Sequence, residues 1–165
     1  MTAGDTPRDV MLTDVAETYR PVGDVRIVRE LVTGDEATFA ISFDEGPGIH
    51  RLGGVGLRRR HGSWRRSAHF MGGHYPGVAR PDRPGAVWSE SGGWSGDGRS
   101  VLIGWPADPA TTSVHIEDPS GRSMTDTVDN GVVLFRYDAG FALTAARVDL
   151  LDATGRLLRS GRPQG

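Results

Sequence analysis

Four turns of one design, spaced through the C-terminal half, narrow the fold more than any other feature. They are Asp118-Pro119-Ser120-Gly121, Asp129-Asn130-Gly131, Asp138-Ala139-Gly140 and Asp152-Ala153-Thr154-Gly155. An Asp carboxylate accepts the backbone N–H groups of a tight turn, and Gly takes the positive φ that hairpins demand. The segments between them, residues 101–105, 112–117, 123–128, 132–137, 142–151 and 156–158, are short and mostly alternate apolar with polar side chains. Strands about ten residues apart with such turns predict an all-β antiparallel sandwich, with a small barrel as the alternative.

Two of the turns sit in a longer match. Val114, Ile116, Asp118, Ser120, Gly121, Arg122 and Met124 recur in order as Val148, Leu150, Asp152, Thr154, Gly155, Arg156 and Leu158. With no third copy present, the simplest account is one good turn used twice. In strand spacing this stretch resembles the immunoglobulin-like sandwich modules of bacteria. The Cys…Trp…Cys signature is missing, so the resemblance implies an architecture and no activity.

The N-terminal part reads as a helix followed by hairpins. Thr6-Pro7-Arg8-Asp9 has a capping Thr, Pro at the first helical position and an acid three residues after the cap. Met11, Val15 and Tyr19 then recur at helical spacing, and Pro21 ends the run, which predicts a helix over residues 7–19. A strand competes there, because Val10 and Leu12 also alternate. Val25, Ile27 and Leu31 share a period-two face. Ala37, Phe39, Ile41 and Phe43 alternate with Thr38, Ala40, Ser42 and Asp44, which predicts a half-buried hairpin turning at Thr33-Gly34-Asp35. A second hairpin folds about His61-Gly62, setting Leu57 opposite Arg66, Arg58 opposite Arg65 and Arg59 opposite Trp64. Its core face is expected to carry Val55, Leu57, Trp64, Ala68 and Phe70. The other face carries Arg58, Arg60, Arg65 and His69. Residues 71–99 have no sustained period and read as a Gly/Pro-rich loop holding His74, Tyr75, Trp88 and Trp94. Residues 1–70 and 100–160 are expected to share one core in a single domain over 1–165.

Composition removes whole classes of chemistry. The absence of Cys excludes disulfides, thiol nucleophiles and thiolate metal sites. All 19 basic residues are Arg, the mark of a high-GC coding bias, so Schiff-base and P-loop lysines are excluded too. The polar, acidic N-terminus lacks an apolar leader core and no run reaches membrane-span length, so a cytoplasmic location is expected.

Charge is polarised along the chain. Residues 50–66 hold six Arg and no acid, whereas residues 1–49 hold ten acids and four Arg. Arg58 and Arg65, directly opposed, repel unless an anion or an acidic surface lies between them. Glu30, Asp35, Glu36 and Asp44 of the first hairpin offer such a surface inside the molecule, so an intramolecular charge match or a solvated face is the simplest account of the segment. A pI near 6.2 argues against nucleic acid. No histidine pair has metal-ligand spacing, no Ser lies in a nucleophile elbow, and Gly53-Gly54-Val55-Gly56 precedes no helix that could cradle phosphate. Asp118, Asp126 and Asp129 stand at hairpin ends, where turn capping explains them without calcium. No metal and no cofactor is expected. The functional expectation is a non-enzymatic binding or assembly module of a bacterial protein. It would contact a protein or other anionic partner through Arg58, Arg60, Arg65, Trp88, Trp94 and Tyr75. The alternative is a small β-barrel enzyme or ligand-binding protein whose 71–99 loop closes an apolar pocket, with His69 or His74 as acid/base.

Overall fold

The computed structural model describes residues 6–71, 88–94 and 99–163; the side chains of Phe70, residues 88–94 and Arg99 fall outside the described set. Helix α1 (Pro7–Tyr19) begins as its cap signals require. Asp9 N–H donates to the Thr6 hydroxyl at 3.2 Å, and the Asp9 carboxylate accepts the Thr6 N–H in return. The strand alternative for this segment does not form. Met11 and Val15 are fully buried, with half-buried Tyr19 on the same helical row.

Eleven strands follow among the described residues: β1 (Val22–Thr33), β2 (Glu36–Gly46), β3 (Ile49–Arg60), β4 (Ser63–Met71), β5 (Trp88–Trp94), β6 (Arg99–Pro106), β7 (Ser113–Glu117), β8 (Ser123–Thr127), β9 (Val133–Asp138), β10 (Arg147–Leu151) and β11 (Leu157–Gly161). They form three antiparallel sheets, ordered β1-β2-β3-β4, β5-β6-β9 and β11-β10-β7-β8. No barrel closes; the architecture is sandwich-like.

The apolar side chains sort into three layers that separate four slabs. Met11 and Val15 of α1 meet Ala37, Phe39, Ile41, Phe43, Val55 and Leu57 on one face of the first sheet. Val28 and Ala40, on its other face, meet Val101, Ile103, Trp105 and Leu134 of the middle sheet. Leu102, Val133 and Phe135 then turn the opposite face of the middle sheet onto Val114, Ile116, Val148 and Leu150 of the last. Strand β2 is therefore buried on both faces, against the half-buried expectation: Thr38, Ala40 and Ser42 are buried along with the Phe and Ile positions. The 101–105 run behaves as a continuous apolar run should, with alternate residues feeding different layers.

Bulges shift the face assignments. Ile27 faces Ile41 but Arg29 faces Ala40, so Val28 is an extra residue that inverts the parity of β1. Leu31 consequently packs with the layer between the sheets, not with Val25 and Ile27 on the helix side. The bulged edge is sealed by the β8–β9 turn. The Asn130 side-chain amide donates to the Val28 carbonyl at 2.9 Å, and the Arg29 guanidinium reaches Asp126 at 2.7 Å and the carbonyl of Thr127. Edge strands left open invite foreign strands, and this one is closed by side chains instead.

Two further expectations change. Residues 88–94, read as loop, form β5, which pairs with β6 from Trp88 opposite Pro106 to Trp94 opposite Ser100. Residues 142–151 do not form one strand: a 3₁₀ turn over Leu143–Ala145 precedes β10.

The motif pair is more than a repeated turn. Strands β7 and β10 are neighbours in the last sheet, with Val148 facing Ile116, His115 facing Asp149 and Leu150 facing Val114. Equivalent positions thus exchange across a local two-fold axis between His115 and Asp149. Strands β6 and β9 are antiparallel neighbours in the middle sheet as well. The segments β6-β7-β8 and β9-β10-β11 each give one strand to the middle sheet and one hairpin to the last.

The two turns match in every bond to the Asp Oδ1. Asp118 Oδ1 accepts the Ser120 N–H at 2.9 Å, the Ser120 hydroxyl at 2.5 Å and the Arg122 N–H at 3.1 Å. Asp152 Oδ1 accepts the Thr154 N–H at 2.9 Å, the Thr154 hydroxyl at 2.7 Å and the Arg156 N–H at 3.0 Å. Gly121 and Gly155 supply φ of 85° and 80°. The hydroxyl and amide donors hold both carboxyls below their ordinary range, Asp152 at about 2. A carboxyl depressed on folding contributes stability above its unfolded value, near 3.9, and loses it as pH falls through the folded value. The stability gap between wild type and Asp152→Asn, measured by urea unfolding, is therefore expected to close as pH falls from about 5 to about 2. A gap constant across that range contradicts this assignment.

Candidate binding surface

The β3–β4 hairpin turns at His61 and Gly62, whose φ values of 50° and 83° are the left-handed pair of a type I′ turn. Its register near the tip is the expected one: Leu57 opposite Arg66, Arg58 opposite Arg65, Arg59 opposite Trp64. Leu57 and half-buried Trp64 lie on the helix side, so Arg58, Arg60 and Arg65 share the other face.

Three arginines of the 50–66 segment are compensated inside the molecule. Arg58 pairs with Glu36, its cross-strand neighbour on β2, at 2.7 Å, and Glu36 also holds Arg136 at 2.9 Å. Arg51 pairs with Glu45 at 2.7 Å, and Arg66 with Asp14 of α1 at 3.1 Å. The other three, Arg59, Arg60 and Arg65, are exposed around the hairpin tip, and no carboxylate pairs with them among the described residues. Arg59 makes only a long bond from Nε to the Gly62 carbonyl at 3.4 Å, while its backbone N–H donates to the Asp35 carbonyl at 2.7 Å.

His69 is not on the arginine face. Gly56 faces Ala68 but Leu57 faces Arg66, leaving Ser67 as an extra residue, and beyond this bulge Ala68 and His69 exchange faces. His69 thus faces Val55 on the helix side, with its ring 6.1 Å from that of Tyr19. His74 and Tyr75 lie outside the described residues. Trp88 and Trp94 mark the two ends of β5, whose backbone runs against β4; their side chains, like that of Phe70, lie outside the described set.

Beside Trp64, on the helix side of the hairpin, is an open groove of about 400 Å³ lined by Asp9, Val10, Thr13, Asp14 and Glu17. Arg59 and Arg66 lie on the same side of the hairpin as this acidic hollow, and Arg58, Arg60 and Arg65 lie on the other. Among the described residues no three His, Asp or Glu side chains gather to hold a metal ion, and no helix is long and apolar enough to cross a membrane. Asp126 is occupied by Arg29 and by the Leu134 N–H at 2.8 Å. Asp118 caps its own turn.

Comparison with known proteins decides nothing further. No family model, no curated protein and no solved structure matches the chain. The arginine cluster itself was visible in the sequence. The acidic first hairpin was legible as an internal counter-surface and supplies Glu36 to Arg58 as expected. Glu45 and Asp14, which pair with Arg51 and Arg66, were not singled out, Asp14 because it arrives with the helix packed on the sheet.

Proposed function

We propose that the chain is a non-enzymatic binding or assembly module that presents the β3–β4 hairpin tip to an anionic partner, most simply an acidic protein surface. One contrast supports this reading. Arg51, Arg58 and Arg66 each have an internal carboxylate, while Arg59, on the Trp64 face, and Arg60 and Arg65, on the other, are exposed at the tip with none among the described residues. Uncompensated like charge at a single place costs folding free energy and steers association with an opposite charge. Strand β5, which begins at Trp88 and ends at Trp94, belongs to the middle sheet, and part of its backbone comes close to β4.

The test uses a defined polyanion. With a net charge of −2 the chain as a whole has no reason to bind a heparin column at neutral pH. A local cationic tip gives retention at low ionic strength and elution as salt screens it. Wild type is expected to be retained and Arg60→Glu/Arg65→Glu to flow through, with the circular dichroism spectrum unchanged because both side chains are exposed. Wild type that flows through, or a double variant that elutes with it, removes the support for this reading.

A further inference from the structure

We infer that the Asp152–Arg156 turn is a docking site for a polypeptide loop of a partner protein, one that presents a glycine carbonyl, an aromatic ring and a backbone N–H in consecutive residues. The local two-fold axis relates this turn to its twin, and the arginine hairpin takes no part in it.

The first of the twin turns already holds such a loop in cis. The Arg122 guanidinium donates to the Gly140 carbonyl and lies 5.7 Å from the centre of the Phe141 ring, while Asp118 Oδ2 accepts the Ala142 N–H at 3.4 Å. The approach is close: a Cβ at Gly140 would stand 3.2 Å from Arg122 Nη1, so the guanidinium would have to give by a few tenths of an ångström. Gly140 is the one glycine among the four turns whose φ is not positive. The loop completes the turn's chemistry, since a guanidinium already bound to a carboxylate still has donors and a π-stacking face to offer.

The second turn has the same Asp, hydroxyl and Gly in the same geometry. Its Arg156 donates to Asp152 through Nε alone where Arg122 uses Nε and Nη2 on Asp118, and no other segment among the described residues bonds to that guanidinium. Arg156 is 76% exposed, against 51% for Arg122, and its guanidinium meets only Asp152 among the described residues. The axis that brings the β9–β10 connection onto the first turn would bring the β6–β7 connection onto the second. That connection, Ala107-Asp108-Pro109-Ala110-Thr111-Thr112, is shorter than residues 139–146 and has neither Gly nor an aromatic residue. The cis occupant is therefore missing by sequence. The rim has changed in the same sense: where the first copy has Ser123, the second has Leu157, 54% exposed and one of three large apolar side chains on the described surface. An apolar residue there adds contact area for an aromatic partner.

The probe is a disulfide-cyclised peptide carrying Tyr-Asp-Ala-Gly-Phe-Ala-Leu, the sequence of residues 137–143, closed so as to keep the turn in which the Phe N–H donates to the Asp carbonyl as in the chain itself. Titrated into the ¹⁵N-labelled full chain, it is expected to shift the amide signals of Thr154, Gly155, Arg156 and Leu157 in a saturable way. Replacing its Phe with Ala, or Arg156→Ala in the protein, weakens binding roughly tenfold or more. No shift at those amides up to millimolar peptide, shifts confined to Ser120–Arg122, or equal shifts from the Phe-less peptide would each overturn the proposal.

Discussion

Replacing Phe39 with Ala is expected to lower the unfolding free energy by about 3–5 kcal/mol, a large part of the 5–15 kcal/mol typical of a domain. Phe39 has no exposed surface, faces Val55 across the β2–β3 ladder and lies in the layer that holds Met11 and Val15 of the helix. Truncation removes the transfer free energy of the ring and leaves a void between a helix and a sheet that cannot easily close on it. Urea unfolding reads this as a lower midpoint at unchanged slope. Phe39→Leu, which keeps most of the volume, is expected to cost about 1.5 kcal/mol or less and provides a folded intermediate in the series. Val22→Ala, at a residue 62% exposed, serves as the control and should move stability by no more than about 0.5 kcal/mol. A loss at Phe39 no larger than at Val22 would mean that the helix does not cover this face.

What could be read from the sequence was local chemistry. The capping box placed α1 at residues 7–19, and His61-Gly62 set the tip of the arginine hairpin to the residue. The Asp…Gly turns set the strands of the last sheet. What stayed hidden came from single inserted residues and from long-range packing. Val28 and Ser67 each add one residue to a strand, and since side chains alternate with period two, each insertion sends everything beyond it to the other face. Leu31 and His69 changed sides for that reason alone. Thr38, Ala40 and Ser42 look like a solvent-facing set because they are small or polar. They are buried because another sheet lies against them, which no local pattern encodes. Strand β5 is rich in Ser and Gly and is held by its ladder to β6. In the candidate site the arginines were legible and so was the acidic first hairpin that supplies Glu36 to Arg58. Hidden were the sharing of Glu36 with Arg136 on a strand of the middle sheet and the pairing of Arg66 with Asp14 of the helix, both of which depend on long-range packing.

The second large effect belongs to Ala40. Alternation along β2 assigns it to water, whereas here it is fully buried and packed in the layer with Ile103, Trp105 and Leu134. Ala40→Asp would place a carboxylate in that layer with no donor prepared for it. An unpaired buried charge costs several kcal/mol even after relaxation and a raised pKa, enough to unfold a domain of ordinary stability. Ala40→Val keeps the site apolar and tests only for space, with an expected overpacking cost of about 1–3 kcal/mol. The stacking of the first sheet on the middle one stands or falls here, because Ala40 has no other reason to reject a polar side chain. The decisive measurement is the urea unfolding free energy of Ala40→Asp beside wild type at neutral pH. A loss of about 4 kcal/mol or more, or outright failure to fold while Ala40→Val folds, is the result expected of a strand buried on both faces. Stability within about 0.5 kcal/mol of wild type would put Ala40 in solvent and contradict the layered architecture.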